Sequence, residues 1–123
     1  MDEDLIQALF GFSSAIRYVA VGRGQEVVMG ERPGLSSASS IESDRYEELL
    51  VNPTLVTLAR QRGEIDCGGL RFLVVGYGSF HQLVIPMREG HVSIAFELDG
   101  DPLGALPRVL RLLAEHGLEP GRR

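Results

Sequence analysis

Apolar positions are densest between Cys67 and Leu98, and their spacing there has the period of strands. The runs Leu70 to Gly76 (LRFLVVG), Phe80 to Pro86 (FHQLVIP) and His91 to Leu98 (HVSIAFEL) are separated by the short connectors YGS and MREG. Runs rich in Val, Ile, Leu and Phe with glycine-containing connectors predict an antiparallel β meander. The last run alternates: Val92, Ile94, Phe96 and Leu98 share one face, and Ser93, Ala95 and Glu97 the other. That is the pattern of a strand with one fully buried side.

The flanking chain predicts helices and one further hairpin. Asp2, Glu3 and Asp4 precede apolar Leu5, Ile6, Leu9 and Phe10, a spacing that gives one apolar helix face with acids in its first turn. This helix is expected to reach about Ser13. Ile16 to Val21 and Glu26 to Glu31 read as two strands joined by Gly22-Arg23-Gly24-Gln25. Arg32 to Ser40, rich in Ser, Gly and Pro, is predicted to be a mobile loop. From Ser43 to Gly63 the pattern is helical, with Ser43 placed to cap, but Asn52-Pro53 interrupts it. A cap residue followed by proline predicts either two helices, 43 to 51 and 53 to 62, or one kinked helix. Arg60, Arg62 and Gly63 form its expected stop. Asp101 and Pro102 start a closing helix whose Leu103, Leu106, Leu110, Leu113 and Ala114 lie on one side. Gly117 and Pro120 end it, and Pro107 implies a kink or a later start. Residues 118–123 are expected to be a frayed tail.

The predicted order is helix, strand, strand, helix, strand, strand, strand, helix. Hairpin-linked strands with one long helical crossing give an α+β three-layer sandwich of profilin-like kind: a five-stranded antiparallel sheet with helices on both faces. A chain of 123 residues accommodates one such domain, expected over 1–117. Composition then narrows the function classes. A net charge of -5 argues against nucleic acid or an anionic membrane as main partner. A single cysteine excludes an intramolecular disulfide, no apolar run is long enough for a membrane span, and the acidic start is unlike a signal peptide. A cytoplasmic location is expected.

No stretch names a reaction. Gly22-Arg23-Gly24 and Gly76-Tyr77-Gly78 each join two strands, whereas a phosphate loop leads from a strand into a helix. Cys67 reads as a small, partly buried residue at a helix-to-strand junction rather than a nucleophile, although His81 or His91 could serve as its base. His81, His91 and His116 lack ligand spacing, so neither metal nor cofactor is expected. Glu42, Asp44, Glu47 and Glu48 read as a solvated helix face.

Two stretches, TLARQRGEIDCGGLRFLVVGYGSFHQLVIPMREGHVSIAFELDGDPLGALPRVLRLL and FSSAIRYVAVGRGQEVVMGE, resemble the roadblock/dynein light chain domain family. The likeness spans about Leu5 to His116. It lies in a helix ending before a glycine-punctuated meander, whose last strand feeds through an Asp-containing loop into a closing helix. The Ser-rich loop, Pro53 and Pro107 depart from the family's pattern. The resemblance implies a non-enzymatic homodimer that serves as a platform for Ras-like small GTPases, motor complexes or signalling scaffolds. Carried onto this chain, the pairing strand would be Leu70 to Val75, with Leu70, Phe72 and Val74, beside a helix offering Leu55, Leu58, Arg60 and Arg62. Independently of the family, a strand such as LRFLVV at a sheet edge must be covered or paired. The alternative is a PAS- or GAF-like sensory domain binding a small molecule between sheet and helices. Few polar residues are expected at inward positions of the meander, which favours the platform.

Overall fold

The computed structural model describes residues 2–34 and 40–120. Five strands form one antiparallel sheet in the order β2-β1-β5-β4-β3. They are β1 (Ile16–Arg23), β2 (Glu26–Glu31), β3 (Leu73–Gly76), β4 (His81–Met87) and β5 (Gly90–Phe96). Helices α1 (Asp2–Phe12), α2 (Ile41–Tyr46), α3 (Asn52–Asp66) and α4 (Pro102–Glu115) complete the α+β sandwich. The last strand returns to the middle, pairing with β1 on one side and β4 on the other.

The alternation of β5 has the predicted consequence. Val92, Ile94 and Phe96 join Val19 and Val21 of β1 and Leu83 and Ile85 of β4 in the main core, which Leu5 and Leu9 of α1 and Val109 and Leu113 of α4 cover. Leu98 lies beyond the strand and is exposed. The opposite face is backed by the central helical run and has a much smaller apolar cluster of Tyr18, Ala20 and Ala95.

Of the two alternatives for the central run, the structure has the single continuous one, with a π-helical segment as its irregularity. It neither breaks nor restarts at Asn52-Pro53: α2 passes into a π-helical segment, Glu47–Val51, and then directly into α3. The Asn52 N–H reaches back to the Glu47 carbonyl, the five-residue step that defines the wider coil. That extra residue loosens the turn immediately before Pro53, whose ring would crowd a regular one. Ser40, not Ser43, caps α2, its hydroxyl accepting from the Ser43 N–H at 3.1 Å. The helix also runs past Gly63 to Asp66. Gly63 is used for close approach, since a Cβ there would lie 3.0 Å from the Gly69 backbone. The stop falls to Gly68 and Gly69, both at positive φ.

Smaller differences have local causes. Strand β3 begins at Leu73, so Leu70 to Phe72 approach the sheet without joining the ladder. Helix α4 starts at Pro102 with Asp101 as its cap and carries Pro107 inside it. The expected loop at 32–40 lies largely outside the described residues, as do 121–123. The described part of the tail is docked rather than frayed: Leu118 packs on the main core and Pro120 bridges to Met87.

Candidate functional site

The sheet face under the central run is where the polar side chains converge. Gln82 of β4 and His91 and Ser93 of β5 point toward that run and are buried, which corrects the expectation of few inward polar positions. They meet Glu48, whose side chain is 0% exposed, so Glu48 does not belong to a solvated face. Its carboxylate lies 2.7 Å from His91 Nε2 and accepts from Ser93 Oγ at 2.6 Å, Tyr18 Oη at 3.0 Å and Asn52 Nδ2 at 3.1 Å. Gln82 Nε2 donates in turn to Ser93 Oγ at 2.8 Å. A buried carboxylate needs this many donors. The π-helical segment sets the side-chain direction that places Glu48 among them. Burial, followed by the Glu48 carboxylate, pushes the Tyr18 hydroxyl far above the ordinary phenol range, so Tyr18 acts as a neutral donor.

Beside this network lies a cavity of about 250 Å³. Its floor is Tyr18, Gln82 and Ala95, its helical wall is Ser43, Asp44 and Glu47, and the β3–β4 connection closes it with Tyr77 and Phe80. A register shift between Ile16 and Tyr18 marks a bulge in β1. The consecutive residues Arg17 and Tyr18 therefore both face this cavity. Arg17 is buried, donates to Glu97 at 3.2 Å and lies 5.4 Å from the centre of the Phe80 ring. The Tyr77 and Phe80 rings stand 5.2 Å apart. Both carboxylate oxygens of Glu47 accept from Tyr77 Oη, at 3.0 and 3.2 Å. Burial outweighs that hydrogen bond and raises the Glu47 pKa, with the Glu48 and Asp44 carboxylates adding to the rise. Burial and the Glu47 carboxylate push the Tyr77 hydroxyl up to about 12.

The residues singled out in the sequence for a partner interface lie elsewhere. Leu55, Leu58 and Arg62 fall on one stripe of α3, which Ile65 extends at the next step. Leu58 is 61% and Ile65 75% exposed, and Arg62 forms an exposed ion pair with Asp66 at 2.8 Å. Arg60 lies off this stripe, donating to the Met87 carbonyl at 3.4 Å. Strand β3 is an edge, paired only with β4. Val74 on it is exposed, whereas Phe72 packs against the main core. Contact between Gly63 and the Gly69-Leu70 backbone brings the second half of α3 beside the approach to that edge.

The remaining candidates stay apart. Cys67 is exposed at the end of α3, its thiol 3.4 Å from Asp66 Oδ1, and its predicted partial burial is not observed. His91 is committed to Glu48, and His81 contacts the Leu98 carbonyl at 3.1 Å, so neither serves Cys67. They pair with opposite ends of the hairpin. No group of three or more potential metal ligands occurs among the described residues, nor does any helix there have the length and apolarity to cross a membrane.

Sequence reasoning missed Glu48, Tyr18 and the cavity. The available signal was the placement of His91 and Ser93 two residues apart on one face of an otherwise apolar strand. The chain matches no model of a known protein family and no curated protein.

Proposed function

We propose that the protein is a cytoplasmic, non-enzymatic binding module that pairs with a second copy through β3 and α3. The resemblance to the roadblock/dynein light chain domain family further implies that the pair serves a Ras-like small GTPase or a scaffold protein. The observations that carry this reading are the apolar stripe of α3, with Leu58 and Ile65 open to solvent, and the open edge of β3, whose leading segment Gly69-Leu70 contacts α3 at Gly63. An edge strand offers unpaired backbone groups, and a neighbouring apolar stripe supplies area to bury.

Sedimentation at micromolar concentration tests the pairing. A dimer is expected, with Leu58→Glu weakening it by roughly tenfold or more; a monomeric wild-type protein would rule the reading out. Capture from lysate with a GTP analogue and, separately, with GDP tests the partner class, since a small GTPase regulator retains its target in a nucleotide-dependent way.

The cavity bounded by Tyr18, Glu47 and Tyr77 favours a second reading, a small-molecule sensor of profilin-like shape. Convergent polar groups in a concave site are what such a function requires.

A further inference from the structure

The cavity's chemistry selects among small molecules. We propose that it binds a small organic ammonium ion, held by the Glu47 carboxylate beside the Tyr77 ring. This inference rests on the ligand-binding reading and is independent of dimerisation.

The first argument is charge. Glu47 is half-buried, and its hydrogen-bond partner is the neutral hydroxyl of Tyr77. Among the described residues the carboxylates of Glu48 and Asp44 act on it, with His91 opposing them. A carboxylate withdrawn from water is normally matched by a cation. The cation lining the cavity, Arg17, is bonded to Glu97 and stacked over Phe80. Glu31 and Asp44 add further negative charge to the lining. An anionic ligand would be repelled by the Glu47 carboxylate, and a neutral one would leave it without a cation among the described residues.

The second argument is surface. Tyr18, Tyr77 and Phe80 give the lining an aromatic character, and ring faces attract ammonium groups. The third is size. At about 250 Å³, the cavity falls just below the range of about 300–1,000 Å³ that holds drug-sized ligands, which suits a compact amine with a short apolar body.

The test is an NMR titration of the full chain, following backbone amides of Ser79, Phe80 and Gln82, with three matched probes at constant ionic strength. These are phenethylammonium, the neutral 2-phenylethanol and the anionic 3-phenylpropionate. Saturable shifts are expected from phenethylammonium alone. Glu47→Gln should weaken its binding by roughly tenfold or more, because it keeps the shape and removes the charge. Tyr77→Phe should weaken it less. Equal binding of the alcohol or the carboxylate, or undiminished ammonium binding by Glu47→Gln, would overturn the cation assignment while leaving a ligand site standing. Silence from all three probes would overturn both. Glu47→Gln is expected to fold at least as well as the wild type, so loss of structure does not confound the result.

Discussion

At the scale of single residues, two adjacent glutamates have opposite energetic roles. Glu48 is sealed between helix and sheet, with partners from β1, β5 and α3. Removing its carboxylate leaves His91, Ser93 and the Tyr18 hydroxyl without their acceptor, so Glu48→Ala should cost about 3–5 kcal/mol in a urea unfolding experiment. Glu47 works the other way. Its folded-state pKa is raised, mainly by burial, so the folded chain binds its proton more tightly than the unfolded chain. Its contribution to stability is fully present below the unfolded value and is lost as pH rises through the folded one. Asp44, Glu48 and His91 face it from the surrounding elements, but comparing two proteins that differ only at 47 isolates its share. Glu47→Gln should therefore melt at a higher temperature than wild type at pH 7. The gap should close as pH falls below the ordinary carboxyl value of 4.5. A variant that melts lower at pH 7 would show that Glu47 is stabilising after all. A residue kept at a cost to stability is expected at a site used for binding.

At the scale of elements, local pattern located the strands well because their period is short and each turn carries its own glycine. Strand β2 spans Glu26–Glu31, the bounds expected from its β-rich run after the glycine-containing turn. The central run was harder to read. Asn52-Pro53 carries the signature of a helix start, and only the π-helical step upstream lets the chain continue through it. The same step makes the facing of Glu47 and Glu48 illegible in sequence, because a regular helical period no longer applies across it. The carboxylate that faces inward is chosen by Tyr18, His91 and Ser93, contacts made across 30 to 45 residues of chain. Helix α4 shows a conflict that was legible, since Pro107 lies inside it with an exposed ring. A proline there forgoes the bond its N–H would make to the Leu103 carbonyl. Restoring that donor outweighs the entropy lost with the ring, so Pro107→Ala should stabilise the fold by about 2 kcal/mol, read as a raised urea midpoint at constant slope.

At the scale of the whole molecule, the two faces of the sheet divide the work. One face, covered by α1 and α4, is apolar throughout and holds the main core. The other is covered by a single helical run and contains a buried polar network, a cavity and, on the outside of α3, an apolar stripe. A strong core on one side is what allows so much polarity on the other. The two proposed binding surfaces also separate along that run. The cavity meets it at Ser43, Asp44 and Glu47, and the stripe occupies Leu55 to Ile65, with no lining residue in common. Substitutions at separated sites without shared partners act independently. Leu58→Glu should therefore weaken the dimer and leave the phenethylammonium titration unchanged, and Glu47→Gln should weaken phenethylammonium binding and leave sedimentation unchanged. Coupling between the two measurements would instead mean that the central run moves as one body, with ligand occupancy transmitted along α3 to the pairing surface.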